Sequence, residues 1–260
     1  MHKTDMYFNK NTKLAFSLSN NPGINGSKVY NNLFSLDKLN FIYLPREVKT
    51  KKKFKEIISI IKKNSLNFLG CSVSMPFKED AYLISDKRHI SSLGTKSANT
   101  LILNQKKLIA FNTDFLAIEL ILKPFNFIDK DVLVLGAGGL SKSFVFYFKN
   151  RSRNLFIYNR SKSRFKSLIN INDDFTKVNL KSLNKYKPNI VINTIPLSND
   201  NQIFNNINFE KTEILFDCIL NKKKSVLIKK IKNKKIKVFN GLNLFNEQNK
   251  IQKMLYLNAL

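Results

Sequence analysis

The stretch Val132-Leu133-Val134-Leu135-Gly136-Ala137-Gly138-Gly139-Leu140-Ser141 constrains this chain more than any other. The protein has 8 glycines in 260 residues, and three of them fall within four positions here. An apolar, β-branched run breaks into clustered glycines and then into a helical pattern. That is how a parallel strand turns into a helix whose N-terminus faces a phosphate. The third glycine of the usual fingerprint is Ser141, small enough for close helix–strand packing. The end of the following strand carries the second half of the signal. A dinucleotide with a free ribose 2′-hydroxyl asks for Asp or Glu there. This chain has Asn159 and Arg160, then Ser161 and, one turn on, Arg164. A cation in the carboxylate's place points to a 2′-phosphate, so NADP(H) is the expected cofactor.

Composition narrows the class. With 43% hydrophobic and 12% aromatic residues there is ample material for a core. No apolar run reaches the length of a membrane span, and Met1-His2-Lys3-Thr4-Asp5-Met6 has no signal-type segment. Cys71 and Cys218 form no disulfide or metal framework, and His2 and His89 have no ligand partners at useful spacing, so no metal is expected. The expected setting is the cytoplasm. The net charge of +27 invites a nucleic-acid reading. The lysines are spread along the chain, however, and abundant Asn, Ile, Phe and Lys beside scarce Gly fit a bias toward A and T codons. The runs Lys51–Lys53, Lys222–Lys224 and Lys229 through Lys235 then read as solvated surface. Four of the six arginines, Arg151, Arg153, Arg160 and Arg164, fall within fourteen positions, a clustering that suggests phosphate recognition.

Alternating patterns predict an α/β protein of two domains. Strands are expected at 13–18, 41–44 (closed by Pro45) and 68–73, helices at 28–36 and 54–63, and a hairpin around Asn104-Gln105. Residues 1–113 are expected to form a mixed α/β domain. A helix over 113–122 links it to a Rossmann-type parallel-sheet domain over 114–240. That domain has strands at 131–135, 155–158, 189–193, 214–217 and 236–239, a helix over 139–149, and a helix through Leu168 capped by Ser161. Pro124 and residues 196–208 read as loops. A C-terminal helix, roughly 244–257 within segment 241–260, is expected to pack back on the first domain.

Several short stretches, in order, resemble the shikimate dehydrogenase family. They are Ser27 with Asn31, Val73-Ser74-Met75-Pro76-Phe77-Lys78, Ala98-Asn99-Thr100 and Asn112-Thr113-Asp114. After them come Gly136-Ala137-Gly138-Gly139, Asn159-Arg160-Ser161-x-x-Arg164, Ile192-Asn193-Thr194, and Gly241-Leu242 with Gln248. The resemblance runs from about residue 14 to 250. It implies NADPH-dependent reduction of 3-dehydroshikimate to shikimate, a step of chorismate and aromatic amino acid biosynthesis, in a cleft between the domains. Reducing a ketone leaves negative charge on its oxygen, which needs a proton donor and hydrogen bonds in place beforehand. The resemblance gives these jobs to Lys78 and Asp114. It gives substrate binding to Asn25, Ser27, Ser74, Asn99 and Gln248, groups suited to the alcohols and carboxylate of a polyhydroxylated ring. It gives cofactor binding to Gly136, Ala137, Gly138, Gly139, Asn159, Arg160, Ser161, Arg164, Thr194 and Gly241.

The chain also departs from the family pattern. Asn25 replaces the first of two carboxylate-gripping hydroxyls, and Lys28 replaces the proline that follows them. Asn31, Ser72 and Asn240 stand where the family has other polar residues, and Leu220 stands where a tyrosine is usual. These changes leave two alternatives: a quinate- or shikimate-type paralogue, and a catalytically degenerate NADP-binding member. The expected partner is a small-molecule substrate, without nucleic acid or membrane, in a monomer or homodimer.

Overall fold

The computed structural model describes residues 8–64, 67–196, 201–220, 225–231 and 235–259. Within them the chain forms two compact units. One runs to Thr113 and takes back the chain from Lys250; the other is Asp114–Asn249. His2, the first seven residues, Lys222–Lys224 and residues 232–234 lie outside the described residues, as does 197–200 of the expected loop.

The first unit is built on β1 (Lys13–Ser19), β2 (Phe41–Glu47), β3 (Phe68–Val73), β4 (Lys87–Arg88), β5 (Thr100–Asn104) and β6 (Lys107–Phe111). They lie side by side as β2-β1-β3-β5-β6-β4. β1 runs parallel to β2 and β3, while β3–β5 and β5–β6 are antiparallel. Strands separated by helices give the parallel part, and a two-residue turn gives the hairpin. Helix Lys51–Asn64 buries Phe54 and Ile58 with Cys71, Phe77 and Leu101 in one apolar cluster. Helix Asn25–Leu36 buries Tyr30 and Phe34 with Phe41, Tyr43 and Tyr256 in another.

Here β2 runs on through Pro45 to Glu47, three residues beyond the expected stop. It is an edge strand. The Tyr43 N–H faces away from β1, because it donates to the Asn31 side chain. Two residues on, the missing Pro45 N–H is on the same outer side, where no ladder bond is lost. Asn31 explains itself at the same place. Its Oδ1 accepts from Tyr43 N–H at 2.7 Å and its Nδ2 donates to Tyr43 C=O at 3.0 Å. Both outward backbone groups of one edge residue are thereby satisfied by one side chain.

The second unit holds β7 (Asp131–Leu135), β8 (Asn154–Tyr158), β9 (Thr176–Val178), β10 (Ile190–Asn193), β11 (Ile214–Asp217) and β12 (Lys237–Asn240). All pairings are parallel, in the order β9-β8-β7-β10-β11-β12. That is the Rossmann order, with its switch of direction between β7 and β10. Val132 to Leu135 are wholly buried, as continuous apolar runs in doubly covered sheets must be.

Several boundaries differ from expectation for local reasons. The first helix begins at Asn25, not 28. Residues 201–205, expected as loop, are helical. Ser161 does not cap a continuous helix: a 3-10 turn Lys162–Phe165 precedes a short helix Lys166–Ile169, and the Ser161 hydroxyl is shared with Ser163 instead. The last helix starts at Gly241 and runs to Leu257. Asn240 caps it, its Oδ1 accepting from Leu242 N–H and Asn243 N–H, while Asn243 Oδ1 accepts from Asn240 N–H. His89 is half-buried. It caps helix Ile90–Thr95 and stacks on Phe111 with ring centroids 5.0 Å apart. Among the described residues no helix is long and apolar enough to cross a membrane, and no group of three or more His, Cys, Asp or Glu could hold a metal.

Candidate active site

In the second unit, the glycine turn follows β7 at the switch point of the sheet. Gly136 has φ +108°, open only to glycine at low strain, and a Cβ there would collide with Thr194 Oγ1. A chain of donors then fixes the turn. Gly138 N–H donates to Ser141 Oγ at 3.0 Å, Ser141 to Thr194 Oγ1 at 2.7 Å, and Thr194 to Leu135 C=O at 2.8 Å. The Ser141–Thr194 direction follows because Thr194's only hydroxyl proton is committed to Leu135. Ser141 is therefore a strut in the position of the third glycine, tying the exits of β7 and β10 together. Asn159 closes the other side, its Oδ1 accepting from Ala137 N–H at 3.1 Å and its Nδ2 donating to Ser161 C=O at 2.8 Å.

These residues fit a dinucleotide phosphate. A Cβ on Gly138 would meet nothing within 4 Å, so the backbone is open to a close neighbour. Helix Gly139–Phe148 starts there, with the first amides of a helix lacking intrahelical partners. Beyond Asn159 lies a cavity of about 480 Å³ lined by Arg160, Lys162 and Lys177 with the apolar side chains of Phe165, Val178 and Leu180. It offers apolar walls for a flat base and cations for an anion.

The arginine cluster divides in two. Arg160 and Arg164 follow β8 and lie at the same end of the sheet as the glycine turn, Arg160 in the cavity wall and Arg164 exposed on the 3-10 turn. Arg151 and Arg153 precede β8 and lie at the opposite end. Arg151 donates to Tyr147 C=O and lies over the Tyr147 ring. Arg153 pairs bidentately with Asp131 at 2.9 and 2.7 Å, and holds that carboxyl below the usual carboxylate range. These two arginines are structural, so proximity in sequence was misleading.

Gly241, which the resemblance sets among the cofactor residues, is required by close backbone packing whatever its part in binding. A Cβ there would lie 2.7 Å from the Ile219 carbonyl carbon, and its N–H donates to Ile219 C=O at 3.2 Å. Thr194 serves the turn as described. The buried Asp114, second residue of helix Thr113–Leu122, lies near Cys218. Burial, then Asp217 and Asp114, pushes the Cys218 thiol well above its usual value. Leu220 is exposed, and Gln248 is half-buried on the last helix.

In the first unit, backbone bonds knit three motif segments together. Phe77 is buried and stacks on Phe54 at 5.1 Å, which anchors the start of helix Lys78–Ile84. Ala98 N–H donates to Lys78 C=O at 2.9 Å, and Val73 N–H to Asn99 C=O at 2.7 Å. Asn99 N–H donates to Phe111 C=O at 3.1 Å, and Thr113 N–H to Asn99 Oδ1 at 2.8 Å. Lys78 is half-buried and Asn99 is 2% exposed, with an Nδ2 that has no hydrogen-bond partner among the described residues. Ser74 is exposed, its N–H donating to Leu18 C=O. Asn25 is exposed on the first helical turn, and Ser27 turns its hydroxyl back to Ile24 C=O at 2.9 Å.

Behind Asn99 lies a polar network that motif reading did not reveal. Tyr30, Tyr43, Ser72, Thr100, Gln252 and Tyr256 are joined by hydroxyl and amide bonds of 2.5–3.0 Å. Burial pushes the Tyr43 phenol up to about 12, so it stays a proton donor throughout the neutral range.

Comparison with known proteins agrees with this architecture. The profile of the shikimate dehydrogenase substrate binding domain matches residues 25–101. A shikimate dehydrogenase-like protein of Haemophilus influenzae is 36% identical over 144 residues, 55% of this chain and 51% of that protein. A shikimate dehydrogenase (NADP(+)) of Caldicellulosiruptor saccharolyticus is 28% identical over 172 residues, 64% of this chain and 61% of that protein. These matches span between half and two thirds of the relatives' length. The solved structure of a shikimate 5-dehydrogenase-like protein superposes with a TM-score of 0.79 at 26% identity, covering 97% of this chain and 98% of that one.

A Rossmann-ordered sheet with a glycine turn in one unit, and a mixed sheet bearing the Pro-Phe-Lys and Ala-Asn-Thr segments in the other, define a two-unit α/β protein with a dinucleotide-binding type of sheet. Residues 25–101 match the shikimate dehydrogenase substrate binding domain, and the chain shares its fold with a shikimate 5-dehydrogenase-like protein over nearly its whole length.

Proposed function

We propose that this protein is an NADP-dependent oxidoreductase that reduces 3-dehydroshikimate to shikimate, in the pathway leading to chorismate. The observation that carries the reading is the knot around Asn99. It fixes the Lys78 segment, the Ala-Asn-Thr segment and Thr113 against one another and leaves a buried amide donor without an acceptor. When bound, NADPH supplies the reducing equivalents. Lys78 supplies the proton to the developing alkoxide, and Asp114 orients the ammonium and holds a substrate hydroxyl. Asn99, Ser74, Ser27, Asn25 and Gln248 supply the polar contacts to the ring substituents. Arg160, in the cavity beside the glycine turn, selects the 2′-phosphate.

The Lys78→Ala variant tests the assignment. General acid catalysis by one positioned group contributes about 10²–10⁴-fold. The variant should bind NADPH like the wild type while its turnover of 3-dehydroshikimate falls by that factor. Turnover at the wild-type rate would refute the role of Lys78.

A further inference from the structure

The orientation of the Asn99 amide is fixed, and the hold can be traced through side chains to Gln252. Asn99 Oδ1 accepts from Thr113 N–H at 2.8 Å, from Thr113 Oγ1–H at 2.9 Å and from Thr100 Oγ1–H at 3.1 Å. A reversed amide would set its NH₂ group against the Thr113 N–H, donor to donor. Nδ2 therefore points away from Thr113, where it is buried and unpartnered. A buried donor without an acceptor is unfavourable until something supplies one.

Thr100 has one hydroxyl proton, and its Oγ1 stands 3.1 Å from Asn99 Oδ1 and 3.3 Å from Thr113 Oγ1. Gln252 Nε2 donates to Thr100 Oγ1 at 2.5 Å, which occupies a lone pair there and turns the proton outward to Asn99. Gln252 is itself oriented, because its Oε1 accepts from Tyr30 Oη–H at 2.6 Å and from Ser72 Oγ–H at 2.9 Å. With its only proton so committed, Ser72 accepts from Tyr43 Oη–H at 2.6 Å and from Tyr256 Oη–H at 3.0 Å. The directions of these bonds are mutually consistent, and of the side-chain atoms in this network Asn99 Nδ2 is the buried one without a partner among the described residues. In a fully connected buried network each member restricts the next.

We propose that Gln252 is a positioning residue: acting through Thr100, it holds the Asn99 amide with its NH₂ group toward the ligand. That position then accepts only a ligand oxygen that can receive a hydrogen bond, such as a ring hydroxyl or carboxylate oxygen. The inference rests on the reading that Asn99 faces the substrate.

Two variants test it, with shikimate as the probe. Thr100→Val removes the relay at constant shape, and Gln252→Met removes its source at nearly constant length. Each should weaken shikimate binding, read by calorimetry, and raise its KM about tenfold, the equivalent of about 1.4 kcal/mol. The KM for NADP and the kcat should stay within twofold, and the double variant should be no worse than the worse single one. If Gln252→Met fails to fold, Thr100→Val alone decides. Lowered Tm with unchanged shikimate affinity would overturn the inference by making the network merely structural. Wild-type protein that binds shikimate without turning it over, with Thr100→Val binding tenfold worse, would sustain the inference and defeat the proposed reaction. Wild-type protein that neither binds nor turns over shikimate would defeat both.

Discussion

In residues 136–141 position is set by backbone, whereas around Asn99 it is set by side chains. The glycine turn owes its shape to a φ of +108° at Gly136 and to the short relay through Ser141 and Thr194. Asn99 owes its orientation to Thr113, Thr100 and, beyond them, Gln252. The first kind of site is damaged by adding an atom, the second by removing a donor. The two also differ in what they can recognise. A turn and helix N-terminus take a phosphate, whose charge is spread over several oxygens. A locked amide distinguishes an acceptor from a donor on one ligand atom.

The largest effect on stability should come from the backbone-built site. Gly136→Ala places a Cβ against Thr194 Oγ1 at a φ that other residues avoid. It should lose about 2–3 kcal/mol in urea unfolding together with measurable NADPH binding. Unchanged stability would mean that the turn has another way to close. Asn31→Ala sharpens the contrast from the other side. It strips two hydrogen bonds from the edge strand and should lose about 2 kcal/mol while leaving NADPH affinity unchanged. Arg160→Ala should weaken NADPH about tenfold, or about 1.4 kcal/mol, and leave NADH unaffected in paired titrations. Equal weakening of both would place Arg160 away from the 2′-phosphate.

The smallest effect belongs to the far end of the same sheet. Asp131 is held below its usual pKa chiefly by the Arg153 hydrogen bond. A carboxyl depressed in the folded state contributes stability above its unfolded value, and this is lost as pH falls through the folded one. Thermal unfolding between pH 5 and 2 should therefore show acid destabilisation setting in below about pH 4. In Arg153→Ala that dependence should be shallower, with NADPH affinity as in the wild type. Weaker NADPH binding in this variant would return Arg153 to the cofactor site.

Local chemistry made much of this legible in the sequence, and long-range geometry hid the rest. Gly136 to Ser141 announce a strand–turn–helix because every constraint lies within a few residues. The Rossmann order follows from the alternation of apolar runs and helices. Pro45 did not end its strand because whether a missing N–H matters depends on which side of the sheet it faces. Asn31 and Asn240 stood out as departures from a family pattern, yet here they are a strand anchor and a helix cap. Four close arginines suggested one site, but a strand of five residues separates them into opposite ends of a sheet. Gln252 was invisible because its partner Thr100 is 152 positions away. No spacing rule reaches that far.

The most direct measurement is the initial rate of cofactor oxidation by the wild-type protein with 3-dehydroshikimate, using NADPH and NADH in parallel. The account predicts saturable, 3-dehydroshikimate-dependent oxidation of NADPH with a kcat/KM at least about tenfold above that for NADH, a difference of about 1.4 kcal/mol. No 3-dehydroshikimate-dependent oxidation of either cofactor, or a preference for NADH, would contradict it.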